Sequence, residues 1–248
     1  MDDNETLRTI KNRRAIRDYD TSRDVPDELV YKVIEAGGYA PSAENQQPWR
    51  IIVVRDKKLQ EFIGQIAVNR TIELFGRATP RQEIERRLSY IQSKASLERT
   101  IDILISGERF EYIKGKPETN GAPVLLVLAV DQTHVGNSQP TLRGTGGVYG
   151  WSSPRHAIIA GAMMLQTMAL AATSLGLGSC VSSVQLDHFD DVRAISEKLG
   201  IPHPHWVPIL CLTLGYAKYE RTLGPPRQPP EEIAFENKWS NPFKGGKQ

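Results

Sequence analysis

Arg13-Arg14-Ala15-Ile16-Arg17 and, further on, Ala40-Pro41-Ser42-Ala43-Glu44-Asn45-Gln46-Gln47-Pro48-Trp49 carry most of what this chain discloses. The first concentrates three guanidinium groups in five residues. The second sets hydroxyl and carboxamide side chains in a tight bend just before the apolar run Ile51 to Val54. Guanidinium forks match phosphate oxygens in planar, paired geometry, and carboxamides both donate to and accept from the edge of a heteroaromatic ring. Alone, the arginine cluster reads equally well as a solvated helix end. Beside the second segment it reads as half of a clamp for a phosphorylated, ring-bearing cofactor.

Working outward, Glu5 to Asn12 has helical spacing with Leu7 and Ile10 expected to face inward, whereas Arg13 to Tyr19 lacks that period and reads as extended. An extended backbone puts Arg13, Ala15 and Arg17 on one face. A continued helix would still make Arg13 and Arg17 neighbours. Pro26 opens a second helix with Asp27 and Glu28 at its positive end, Gly37-Gly38 stops it, and Asp56 to Ala67 reads as a third.

Residues 69–120 form a charge-rich helical stretch between two core strands, Ile51 to Val54 and Val124 to Val130. It reads as a lid inserted beside the site, or as a plain surface helix pair. Arg155 to Ser174 is apolar nearly all round and belongs in the protein centre or at a subunit interface. Ser179 to Val184 and Val207 to Leu214 read as strands, and Asp190 to Leu199 as a helix stopped by Gly200. In the proline-rich tail, residues 218–248, Phe235, Trp239 and Phe243 suit an extended arm packed on another surface, with disorder as the simple alternative.

Composition narrows the functional classes. The chain has 248 residues, enough for a real core without covalent staples. Its two cysteines, Cys180 and Cys211, are too few for a secreted disulfide framework and wrongly spaced for a zinc ribbon or redox pair. With 31 basic against 29 acidic residues the net charge is +2, which offers no broad footprint for nucleic acid or anionic lipid. The acidic, polar start and the short apolar runs lack an export signal or membrane span, so a cytoplasmic location and no membrane partner are expected.

Other motifs carry less. Gly144-Thr145-Gly146-Gly147-Val148-Tyr149-Gly150-Trp151 lacks the lysine and preceding strand of a phosphate loop and reads as a mobile loop. His203-Pro204-His205 has no carboxylate or third histidine at ligand spacing, so no metal is expected. His134, His156 and His188 are scattered, and no hydrolase triad is apparent. Cys180 reads as a packing residue rather than a nucleophile.

The ordered set resembles the FMN-dependent nitroreductase family. It comprises the two opening segments, Ala122-Pro123-Val124-Leu125, Leu175-Gly176-Leu177-Gly178-Ser179-Cys180, and Leu214-Gly215-Tyr216 before Arg227-Gln228-Pro229-Pro230-Glu231-Glu232. Any one of these is common; their order across most of the chain is specific. Residues 69–120 and the glycine loop are unmatched. Ala15 stands where the family commonly has serine, which removes one hydroxyl contact to the cofactor.

The resemblance implies an α+β fold, with a central, mostly antiparallel sheet flanked by helices, in an intertwined homodimer of single-domain chains. It implies FMN at the subunit interface, NADH or NADPH as electron donor, and a flat electrophile such as a nitroaromatic or quinone reduced by a ping-pong mechanism. Carried over by position, Arg13 and Arg227 would hold the phosphate with Arg14 helping, and Arg17 would sit by the flavin N1 and O2 edge. Ser42 and Asn45, within the Pro41 to Gln47 bend of the opposite subunit, would reach the ribityl chain and pyrimidine edge. Cys180-Val181-Ser182-Ser183 would lie against the N5 side. No side-chain nucleophile is needed, since the cofactor carries the redox chemistry. A specialised branch, such as a reductive dehalogenase or heterocycle oxidase, and a non-catalytic flavin-binding module are the alternatives.

Overall fold

The structure is a computed structural model that describes residues 3–132, 154–221, 224–239 and 241–243. Four strands, β1 (Trp49–Val54), β2 (Val124–Asp131), β3 (Gly178–Ser182) and β4 (Trp206–Gly215), form one sheet in the order β1-β2-β4-β3, with every neighbouring pair antiparallel. A bulge at Ile209, between the pairs Leu128 with Leu210 and Ala129 with Pro208, accommodates a proline that cannot donate to the ladder.

β2 reads Val-Leu-Leu-Val-Leu-Ala-Val-Asp without polar alternation because both faces of the sheet are covered. Val124, Leu126 and Leu128 point into one core layer, with Leu212 and Leu214 of β4. Leu125 and Val127 point into the other, with Cys211. Burying side chains of this size stabilises by about 1.5–3 kcal/mol each.

The first layer is closed by α2 (Asp27–Gly38) and α6 (Pro154–Ser174), whose Met164 and Met168 are buried there. The two helices approach so closely that a Cβ on Gly37 would lie 2.5 Å from Met168 Cγ. Among the described residues, Arg155–Ser174 is the one stretch long and apolar enough to cross a membrane, and it packs on the sheet. Burial is confined to one of its sides, since Ile158 and Ile159 are exposed.

The second layer is closed by α3 (Lys57–Thr71), capped by the Asp56 carboxylate on the amides of Lys58 and Leu59, together with α7 (Phe189–Leu199). α7 stops at Gly200, which adopts φ 68°, as expected from the sequence.

Several expectations need correction. α3 runs through Thr71, so the supposed boundary at residue 69 falls inside a helix; Ala67, Val68 and Thr71 prolong its buried stripe. Leu7 and Ile10 of α1 (Glu5–Asn12) are 44% and 48% exposed, because α1 rests on α6 and, among the described residues, nothing is laid over its other side. β3 ends at Ser182, where the Ser182 hydroxyl bonds to Gln185 Oε1 at 2.8 Å and the chain turns.

Between α3 and β2 lie a π-helical stretch (Ile72–Ala78), α4 (Arg81–Arg87), α5 (Lys94–Ile105) and a 3-10 turn (Glu108–Lys114). Ile84, Ile101 and Leu104 give this insert a small core of its own. After β4 the tail carries a short helix α8 (Pro230–Ile233) and a stacked pair, Phe235 and Trp239, with ring centroids 5.0 Å apart. Trp239 is 85% exposed.

Candidate functional site

The arginine segment is extended, and the edge of β3 holds it. α1 stops at Arg13, whose φ of −56° and ψ of 126° leave the helix. Ala15 then makes a parallel bridge to Ser179, and the Ile16 N–H donates to the Ser179 carbonyl at 2.9 Å. A Cβ on Gly178 would sit 2.9 Å from Ile16 Cγ2, so this approach requires glycine. The buried Tyr19 fixes the far end: its O–H donates to the Ile16 carbonyl at 2.8 Å and its oxygen lies 2.7 Å from Thr213 Oγ1. Burial holds that phenol well above its ordinary pKa, so Tyr19 is a neutral tether.

Ile16 enters the core, Ala15 packs against the same layer, and Arg13 and Arg17 are half-buried, so the segment does not alternate strictly between a core face and an outer face. Arg14 closes α1 by donating to the carbonyls of Lys11 and Arg13. The tail returns to the same place. Lys218 N–H donates to the Asp18 carbonyl at 2.9 Å, Arg221 pairs with Asp18 at 3.0 Å, and a Cβ on Gly224 would come within 3.0 Å of Arg14 Nε. Arg227 follows three residues later and is exposed. One chain therefore brings its early arginines and the stretch carrying its late arginine to one locality.

Arg17 faces the insert. Its Nε is sealed from water with no hydrogen-bond acceptor, and its guanidinium carbon lies 6.0 Å from the Tyr112 ring centroid. Tyr112 is itself buried and donates its O–H to Cys180 Sγ at 3.3 Å. Beyond Arg17 opens a cavity of about 560 Å³, lined by Asp18, by Thr100 of α5 and by Arg109 and Tyr112 of the 3-10 turn. Burial first, and then the Arg17 charge, hold the Arg109 guanidinium below its ordinary pKa.

The Pro41 to Gln47 bend is tied by local hydrogen bonds. Ser42 Oγ accepts from the Gln47 N–H at 3.0 Å, and Gln47 Nε2 donates to Asn45 Oδ1 at 2.8 Å. Glu44, Asn45 and Gln47 hold φ of 53°, 54° and 50°, a left-handed turn that costs non-glycine residues of order 1 kcal/mol apiece. Asn45 is exposed and Ser42 half-buried.

On β3 the strand period turns Cys180 and Ser182 into the core and leaves Val181 40% exposed, so an outside ligand meets backbone and Val181 rather than the Cys180 thiol. Ser183 follows at the turn. The glycine loop at 144–151 and His134 lie outside the described residues. Among the described residues no three or more His, Cys, Asp or Glu side chains gather as a metal site.

Tyr19, Arg109 and Tyr112 were not singled out from the sequence as site residues. Tyr19 carried a signal, an aromatic in phase with the arginines. Arg109 and Tyr112 carried none, because only the packing of the insert brings them to Arg17.

The sequence matches the model of the Nitroreductase family over residues 10–216. The chain is 28% identical over 220 residues to "Nitroreductase NfnB" of Mycolicibacterium smegmatis, covering 85% of this chain and 82% of that protein. It is 30% identical to "NADH dehydrogenase" of Thermus thermophilus, covering 84% of each. A 42% match to "Putative NADH dehydrogenase/NAD(P)H nitroreductase" of Methanothermobacter thermautotrophicus is confined to 62 residues, or 32% of that protein. Its fold is similar to that of a putative nitroreductase in complex with FMN from Desulfovibrio desulfuricans, with a TM-score of 0.62, 19% identity and coverage of 96% and 99% of the two chains. With an α+β fold, an arginine segment bridged to a sheet edge, and a family match from α1 to the end of β4, the chain belongs to the nitroreductase family.

Proposed function

We propose that the protein is an NAD(P)H-dependent FMN oxidoreductase that reduces a flat electrophile, a nitroaromatic or a quinone, as a homodimer. The observation that carries this reading is the meeting of Arg14 with the Gly224 stretch beside the bridge from Ala15 to Ser179. It gathers Arg13, Arg17 and the segment bearing Arg227 at one sheet edge. The chemistry of this donor set fits a flavin phosphate at one end and an electron-rich ring edge at the other, because Arg17 has a buried donor atom that lacks an acceptor.

Bound FMN would supply the redox chemistry, taking a hydride from NAD(P)H and passing electrons to the oxidant in two separate half-reactions. The chain's own work is placement. Arg13 and Arg227, with help from Arg14, hold the phosphate. Arg17 sets a fixed positive charge beside the pyrimidine rim, where preorganised electrostatics favours the reduced form. Ser42 and Asn45 of the opposite subunit, presented by the left-handed bend that also holds Pro41 and Gln47, reach the ribityl chain and pyrimidine edge. The stretch Cys180 to Ser183, with Val181 facing outward, would flank the N5 side, and the insert would cover the Arg17 end.

Purification tests this directly. A yellow protein, bleached by NAD(P)H and recoloured by a nitroarene, is the expected result. A colourless protein that takes up no FMN when offered it overturns the reading. Arg227→Ala should loosen FMN, and undiminished retention removes the phosphate role. Arg17→Ala should retain some FMN with a lowered reduction potential, and an unchanged potential removes that role.

A further inference from the structure

The 3-10 turn of the insert brings two side chains to Arg17. Residues three apart eclipse each other in such a turn, so Arg109 and Tyr112 stand on one face, and both line the cavity beside Arg17. Their effects on Arg17 oppose each other. The Arg109 guanidinium repels that of Arg17, a like charge. Arg17 makes no ion pair among the described residues that would hold it in place, and Asp18, its neighbour in sequence, is taken by Arg221 at 3.0 Å. The Tyr112 ring, with its centroid 6.0 Å from the Arg17 guanidinium carbon, offers the electron-rich face that attracts a cation.

A ring attracts a cation only while its face, and not its edge, is turned to the charge. The Tyr112 hydroxyl fixes that orientation. It donates to Cys180 Sγ at 3.3 Å, and Cys180 Sγ donates in turn to the Val181 carbonyl at 3.6 Å, so the far end of the ring is fastened to β3. Sulfur is a weak acceptor, so this contact supplies direction more than stability. Phe110 stacks beside the ring at 6.3 Å between centroids. Burial first, and then Cys180, hold the phenol well above its ordinary pKa, so Tyr112 offers Arg17 a neutral ring and not a counter-ion.

We infer that Tyr112 is a positioning residue: its ring, aimed by the hydrogen bond to Cys180, holds the Arg17 guanidinium against the push of Arg109 and so helps to set the reduction potential of the bound flavin. The hold on Arg17 stands on these contacts alone. The effect on the potential deepens the proposed function and rests on its placing of Arg17 at the pyrimidine rim.

Two measurements on the purified full-length protein test this. The first, which needs no flavin, is the rate at which the Arg17 Nε–H exchanges with water, followed by NMR and assigned by its disappearance in Arg17→Ala. The second is the midpoint potential of the protein-bound FMN. Tyr112→Leu, which removes the ring, should speed the exchange about tenfold and lower the potential by about 30 mV, a tenfold change for a two-electron couple. Tyr112→Phe, which keeps the ring and releases its anchor, should move both in the same direction by about threefold, or about 14 mV. Ile113→Val trims a fully buried neighbour on the same turn that has no ring to offer, and should move neither.

Unchanged exchange in Tyr112→Leu or Tyr112→Phe, or equal changes in Ile113→Val, overturns the inference. So does faster exchange in a yellow protein whose potential stays where it was. Should Tyr112→Leu fail to fold, Tyr112→Phe carries both measurements. A yellow, active protein in which the Tyr112 variants change nothing defeats the positioning role and spares the flavin reading. A colourless protein in which they quicken the Arg17 exchange upholds the hold on Arg17 and defeats the flavin reading.

Discussion

The sheet and the insert are stabilised in opposite ways. β2 is buried along almost its whole length, with Val124 to Leu128 and Val130 at 0% exposure, and each of its faces feeds a separate apolar layer. Within the insert, α4 and α5 rest on the three buried side chains Ile84, Ile101 and Leu104 and on surface ion pairs, such as Glu83 with Arg86 and Arg87 at 2.7 Å, whereas Tyr112 and Ile113 anchor its 3-10 turn in the second layer of the sheet. Exposed pairs of this kind are worth little and weaken with salt. The difference teaches where rigidity is invested: the sheet edge that pins the arginine segment, with Tyr112 beside Arg17, belongs to the stable part, and α4 and α5 belong to the part that can open at low cost.

The largest expected effect tests the stable side of that contrast. Leu126→Ala removes a fully buried side chain from the middle of β2 and should destabilise the protein by about 2–5 kcal/mol in urea unfolding. A loss well below 1 kcal/mol would show that the sheet is not the stable half.

Next in size, Ile101→Ala should cost about 2 kcal/mol, felt chiefly within the insert. Hydrogen exchange should quicken across residues 81–105 while the amides of β2 and β4 keep their protection. Equal acceleration in both regions would dissolve the distinction.

The joint between the two regions offers a smaller effect. Arg70, in the last turn of α3, donates to Asp191 in the first turn of α7 and pairs with Glu73 at 2.6 Å, so one guanidinium ties the root of the insert to the core. Asp191→Asn should lower stability by about 1 kcal/mol, since both partners are only partly exposed. An unmoved urea midpoint would mean that the insert is hinged elsewhere.

The smallest effect is a titration. Hydrogen bonds from Arg86 first, then Arg87, hold the Glu83 carboxyl down to about 2 from an ordinary 4.5. Its contribution is therefore complete above pH 4.5 and is lost as pH falls towards 2. The carboxyl carbon followed by NMR should titrate near 2 and move back towards 4.5 in Arg86→Gln. An unshifted Glu83 would remove the ion pairs from the account of how the insert holds together.

Legibility from sequence followed the same division. The strand at Val124 to Val130, the helices opening at Pro26 and closing at Gly200, and the long helix at 155–174 were all readable, because an apolar period and its punctuation are local properties. The extended form of Arg13 to Tyr19 was readable for the same reason. The end of α3 was misplaced, since the burial that carries it to Thr71 comes from the layer it packs into. The exposure of Leu7 and Ile10 was missed as well, because period alone says which residues share a face and not whether anything covers it.

The order of its segments determined the family and the residue types available at a site: guanidinium groups early and late, and carboxamides in a bend. These are covalent facts, fixed once the chain is written. Tertiary structure alone decided that Arg14 meets the Gly224 stretch, that Cys180 and Ser182 turn inward while Val181 turns out, and that Arg109 arrives beside Arg17. Those contacts join residues tens to hundreds of positions apart, and their energy comes from packing and burial that no local period encodes.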